Sequence, residues 1–167
     1  VALDLLAARV RESLHQTDEA TEDSSVDGMD VAFCILNPEL GILQFAGAHN
    51  HLYLVRDGEM EVIKADMQDI GSKYKNPHPF TNHFVDVQQG DVIYLFSDGF
   101  PDQFGGKDRR KYKYGKFRKF LLEIHQEPMS KQKKLLDEEL TQWMGDYEQI
   151  DDVLVMGIRI RRASDPQ

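Results

Sequence analysis

Cysteine is almost missing from these 167 residues, and Cys34 is the only one. An internal disulfide framework is therefore excluded, and the composition suits a reducing, cytoplasmic compartment. Cys34 lies within the run DVAFCIL (30–36) with no cation beside it, so it reads as a small core residue, not a reactive thiol. No apolar run approaches the roughly 20 residues that a membrane-spanning helix needs. No basic-then-apolar leader opens the chain. Cations are also in short supply: 20 Lys and Arg stand against 29 Asp and Glu, a formal net charge of −9. That balance argues against general nucleic-acid binding. Internal repeats and low-complexity tracts are absent too, which leaves a chain of a length that suits one globular domain.

The patterning is that of an α+β domain, with antiparallel β-sheets flanked by helices. Residues 1–16 place Leu3, Leu6, Val10 and Leu14 at helical spacing. The chain opens on Val1 and is helix-patterned at once, from which a piece of a longer protein is expected. Thr17 to Gly28 is acidic and turn-rich, as an exposed loop would be. Two hairpins follow, 29–36 with 42–48 around Asn37-Pro38-Glu39-Leu40-Gly41, and 51–56 with 59–64 around Asp57-Gly58. Together they predict a four-stranded meander. Residues 65–82 carry two prolines and no period, so they read as a loop over a site. A further hairpin is expected from 83–87 and 91–96, then helices over 116–126 and 130–145, and a last strand over 153–160. Residues 1–160 are expected to form the domain, and 161–167 a polar tail.

The informative stretch is GDVIYLFSDGF (90–100), in which an apolar strand ends on the carboxylate of Asp98. A carboxylate beside a core is costly unless it is paired, hydrogen-bonded or bound to a metal. Asp151 and Asp152 stand just before the final strand. If the two strands are antiparallel neighbours, all three carboxylates meet at one sheet edge, and a hard divalent cation would relieve their repulsion. The plainer reading keeps Asp98-Gly99 as a turn and the acidic pair as a loop.

GDVIYLFSDGFPDQFGG followed by DDVLVMGIRI resembles the C-terminal half of the SpoIIE-like branch of the PPM, or type 2C, metal-dependent serine/threonine phosphatases. LQFAGAHNHLYLVRDG (43–58) resembles the Ala-Gly hairpin of that branch and Asp69-Ile70-Gly71 its following loop, so the likeness spans roughly residues 28–160. It implies an αββα sandwich with two Mg²⁺ or Mn²⁺ ions, in which Asp98 and Asp151 are carboxylate ligands of one metal and Asp152 supports them. The implied chemistry is in-line attack of a metal-activated water on a phosphoserine or phosphothreonine, with no cysteine nucleophile. The implied partners are a phosphorylated regulatory protein as substrate and sensor or receptor domains upstream in a longer chain. A homodimer is plausible. The Gly-Asp…Gly-His-Gly element of the family occurs nowhere in this sequence, so a partial metal site and an inactive piece are expected. Ala48-His49-Asn50-His51 also departs from the His-Asn-Pro of relatives, and Asp69 stands where they often have Pro.

Other features have plainer readings. His49 and His51 lack a second set of zinc ligands and read as structural or surface residues. The basic run from Lys107 to Lys119 reads as a solvated face, with attraction of an acidic or phosphorylated substrate as the sharper alternative. Trp143 is expected in the core. The rival to the phosphatase reading is a non-catalytic sensor or interaction module, including a degenerate phosphatase relative.

Overall fold

The computed structural model describes residues 2–14, 28–71 and 78–161. The expectations for most of the 17–28 loop, the middle of the 65–82 loop, His15 and nearly all of the tail lie outside them. The chain divides into two compact units, Val1–Leu52 with Ile63–Val87, and Tyr53–Val62 with Gln88–Gln167.

In the first unit, α1 (Ala2–Ser13) buries Leu3 and Ala7, while Leu6 is 38% and Leu14 48% exposed. The helix is where its apolar period places it, but the buried face runs through Leu3, Ala7 and Val10. It packs on Ala46, Ala48, Ile70 and Phe80, and the two alanines let the helix approach the strand that carries them. Strands β1 (Val31–Asn37), β2 (Ile42–Ala48) and β5 (His83–Asp86) form one antiparallel sheet in the order β1-β2-β5. The Asn37 side chain accepts the Leu40 N–H at 3.0 Å, and Gly41 takes φ +63°, which closes the β1–β2 turn. β1 is less buried than its composition predicts: Phe33 and Ile35 are exposed, and Cys34 is half-buried.

The second unit is built on β3 (Leu52–Arg56), β4 (Glu59–Ile63), β6 (Val92–Phe96) and β9 (Val155–Arg159), in the order β4-β3-β6-β9. Asp57 and Gly58 both have positive φ, the combination a two-residue type I′ hairpin turn requires. Five elements stand between β6 and β9: the short α2 (Gly99–Asp102), the two-residue strands β7 (Phe104–Gly105) and β8 (Arg110–Lys111), and the helices α3 (Tyr114–Ile124) and α4 (Met129–Met144). Tyr94 and Phe96 of β6 share a core with Tyr53, Phe100, Tyr112, Phe117 and Leu121. α3 buries Phe117, Leu121 and Ile124, one face at i, i+4 and i+7. α4 stops at Gly145, whose N–H returns to the Thr141 carbonyl at φ +56°. Trp143 is half-buried against the same core.

Two polar contacts lock this unit. The buried Asp91 carboxylate accepts from Arg56 Nε at 3.0 Å and Nη2 at 2.6 Å, a bidentate pair, and from the Gln88 N–H at 2.8 Å. Buried Gln132 accepts the Tyr94 hydroxyl at 2.7 Å and donates to the carbonyls of His125 and Glu127. Burial pushes the Tyr94 phenol up to about 12, so it remains a donor.

Two expectations on strand pairing are corrected. The first four strands are not one meander: β1 and β2 pair in one sheet, β3 and β4 in the other. The change of sheet falls at residues 48–51, where His49 adopts φ +58° and breaks the extended backbone. Likewise β5 and β6 are not a hairpin. β5 pairs with β2 and β6 with β9, and the link between them is pinned by the Val87 N–H on Gly41 and the Gln88 N–H on Asp91. The strand β7–β8 pair and α2 were not anticipated, being too short to show a period.

Candidate active site

The apolar strand that ends on a carboxylate is β6, and its neighbour is β9. They pair antiparallel from Val92↔Arg159 to Phe96↔Val155. The residues that leave β6 and those that enter β9 therefore stand at the same end of the sheet. Asp98 is brought to the edge that carries Asp151 and Asp152, as the spacing predicts.

Ser97 stitches the two segments together. Its N–H donates to the Leu154 carbonyl at 3.0 Å, and its Oγ donates to the Asp152 carbonyl at 2.7 Å and accepts the Leu154 N–H at 2.9 Å. Gly99 permits the approach: a Cβ there would lie 2.3 Å from the Asp152 carbonyl oxygen. Any side chain at residue 99 would push the acidic segment away from Asp98. Asp98 is half-buried, precedes α2 and makes no side-chain capping bond. Asp151 and Asp152 are exposed, and Asp151 Oδ1 accepts the Asp152 N–H at 2.7 Å.

These oxygens suit a hard cation in kind, since Mg²⁺ and Mn²⁺ take carboxylates and Mg²⁺ is commonly held by only one or two of them plus waters. In number the set is small: among the described residues no three His, Cys, Asp or Glu side chains converge as a metal site. The donors match a divalent cation in kind, not in number.

Nearby cations are engaged elsewhere. Lys111 Nζ contacts Asp102 at 2.6 Å; Lys116 contacts Glu139 at 3.0 Å and lies 4.2 and 4.1 Å from the ring centres of Tyr112 and Trp143. Arg109 stands over the Tyr147 ring at 5.6 Å. Arg109, Lys111 and Lys116 of the basic run thus tie it to α2, α4 and the loop after α4.

A family model described as Stage II sporulation protein E matches residues 2–161, nearly the whole chain. The chain belongs to the SpoIIE family. The fold of this SpoIIE chain is shared with solved PPM phosphatases. The SiaA-PP2C domain of Pseudomonas aeruginosa superposes with a TM-score of 0.74 at 24% identity, over 95% of this chain and 69% of that one. The Mn-presoaked phosphatase domain of SpoIIE from Bacillus subtilis gives 0.61 at 17% identity, over 99% and 76%. The serine/threonine phosphatase PstP/Ppp of Mycobacterium tuberculosis gives 0.63 at 16%, over 93% and 68%. No curated protein matches this SpoIIE chain. No described helix is long and apolar enough to cross a membrane.

His51 serves a structural bond, as its sequence context suggests. His51 Nδ1 accepts the Ala65 N–H at 3.1 Å, and its pKa is lowered by burial first and then by Lys64 and His49. The His49 N–H donates to the Asp66 carbonyl. What sequence reasoning missed is Gln103, just past α2 and fully buried. A lone Gln between Pro101 and Gly105-Gly106 carries no period by which to find it.

Cys34 is a thiol, not a thiolate: burial pushes it up from 9.0 to about 11. An acid whose pKa rises on folding adds stability that is whole below pH 9 and is lost as pH climbs through 11. Native chain at pH 9 is expected to react with iodoacetamide at least ~tenfold more slowly than chain unfolded in urea. Equal rates in the two states would contradict the partial burial of Cys34.

Proposed function

We propose that this SpoIIE-family chain provides the C-terminal part of a metal-dependent protein phosphatase that hydrolyses phosphoserine or phosphothreonine on a regulatory protein. One observation carries the reading. The β6–β9 pairing delivers Asp98 and the Asp151–Asp152 pair to one sheet end, and Ser97 and Gly99 close the gap between their backbones.

Asp98 and Asp151 would hold Mg²⁺ or Mn²⁺, with Asp152 supporting. When bound, such cations supply Lewis-acid activation of water and neutralise charge on the phosphoryl oxygens. The chain itself does the positioning. Asp98 stands two residues after β6, whose Val92, Ile93, Tyr94 and Phe96 are buried, so its carboxylate starts from a rigid backbone. The adjacent carboxylates keep the edge anionic, which repels a phosphate monoester unless cations are present. Activity that depends strictly on a divalent ion follows.

The further details are part of the same proposal. The chain works in the cytoplasm, alongside sensor or receptor domains, with self-association into a dimer as an option. Since no Gly-Asp…Gly-His-Gly element occurs in these residues, they turn over weakly or not at all by themselves. A rival reading, a degenerate phosphatase serving as an interaction module, draws on the small number of converging ligands.

The test is phosphate release from phosphoserine and phosphothreonine peptides with and without Mn²⁺, using this chain and an extended chain that carries the missing element. Mn²⁺-dependent release by the extended chain, abolished by EDTA, is the expected result. Release by neither chain would leave the interaction module as the better account.

A further inference from the structure

Gln103 is 0% exposed, and a buried side-chain amide has two N–H donors and a carbonyl to satisfy. Its Nε2 donates to the carbonyls of Phe104 at 3.0 Å and Glu148 at 2.9 Å, and its Oε1 accepts the Ile150 N–H at 3.3 Å. Its main-chain carbonyl is held in turn by Trp143 Nε1 at 3.0 Å and the Tyr112 N–H at 2.9 Å. The side chain thus extends from a fixed point and grips residues 148 and 150. Ser97 grips residues 152 and 154. Both grips come from the single segment 97–103, which also carries Asp98. The acidic pair is the short exposed span suspended between them.

We propose that Gln103 is a positioning residue. By holding residues 148–150 to the end of α2 it fixes where Asp151 and Asp152 stand relative to Asp98, and so sets how tightly Asp98 and Asp151 would take a divalent cation. The last step rests on the phosphatase reading above; the placement itself does not. Glutamate in its place would keep the acceptor for Ile150 but lose both donors and add a buried charge beside an acidic edge. Methionine would keep the length and lose all three side-chain bonds.

The experiment takes Gln103→Met and Gln103→Glu, so that failure of one variant to fold leaves the other. Amide exchange is read first, without metal. The informative amide is Leu154, which is bonded to Ser97 and not to Gln103. Its exchange is expected to quicken at least ~tenfold, with the amides of β6 unchanged. An unaltered Leu154 rate overturns the inference, because the acidic span would then be held without Gln103.

Mn²⁺ is added second, in the extended chain, with Asp98→Asn alongside. The Mn²⁺ concentration for half-maximal phosphate release is expected to rise ~10- to 100-fold, while the rate at saturating Mn²⁺ returns to near that of the wild type. A uniform loss of rate at every Mn²⁺ concentration overturns the inference, since it marks a merely structural role. If Asp98→Asn itself behaves as wild type, the phosphatase reading has failed, and the Leu154 exchange alone decides the placement.

Discussion

Asp98→Asn is expected to cost at least ~100-fold in Mn²⁺-dependent phosphate release, since even residues that only support a metal ligand typically cost 10- to 100-fold. The substitution is close to isosteric, and Asp98 makes no side-chain capping bond that folding would miss. It also removes one of three neighbouring negative charges, so the metal-free variant should be no less stable than the wild type. The loss is therefore separable from unfolding. Mn²⁺ should raise the melting temperature of the wild-type extended chain, as any ligand of the native state does, and leave that of the variant where it was. A variant that keeps its activity, or is still stabilised by Mn²⁺, would show that the β6 carboxylate is a turn residue after all.

The largest effect on stability is expected from Phe117→Ala, at about 3–5 kcal/mol. Phe117 is 0% exposed, and its ring meets Phe96 edge-on at 5.0 Å and Phe100 at 4.7 Å. The void would be hard to close, because Phe96 is anchored in β6 and Phe100 in α2. Those two residues bracket Ser97, Asp98 and Gly99, so the cavity would open beneath the acidic edge. Urea denaturation should show the loss in its midpoint, while the exposed neighbour substitution Arg118→Ala should stay within about 0.5 kcal/mol. A comparable loss in both variants would show that α3 is not held through its buried face.

Much of this was legible in the residues. Alternation and turn chemistry locate the hairpin at Asp57-Gly58, and apolar spacing locates α1, α3 and α4 within a few positions. The acidic edge was legible because a buried run ending in Ser97-Asp98-Gly99 and a strand preceded by Asp151-Asp152 need only one antiparallel pairing to meet. What escaped depends on contacts between distant parts of the chain. Strand patterning does not say which sheet a strand joins, so the changes of sheet at 48–51 and 87–91 were invisible. The exposure of Phe33 and Ile35 on β1 follows from what covers that strand, which its own composition cannot report. Gln103 escaped for a related reason: its worth lies in bonds to residues 148 and 150, far along the chain.

The interleaving of the two units has a consequence for how such a chain can be inherited. The Tyr53–Val62 hairpin belongs with residues after 87, yet it is encoded between two stretches of the other unit. A recombination joint at 87/88 would hand on β6, β9 and the acidic edge without β3 and β4, which complete their sheet. A joint at 52/53 would split the first unit instead. Neither unit can be shuffled as a contiguous cassette, so the piece that gene rearrangement can move intact must span both.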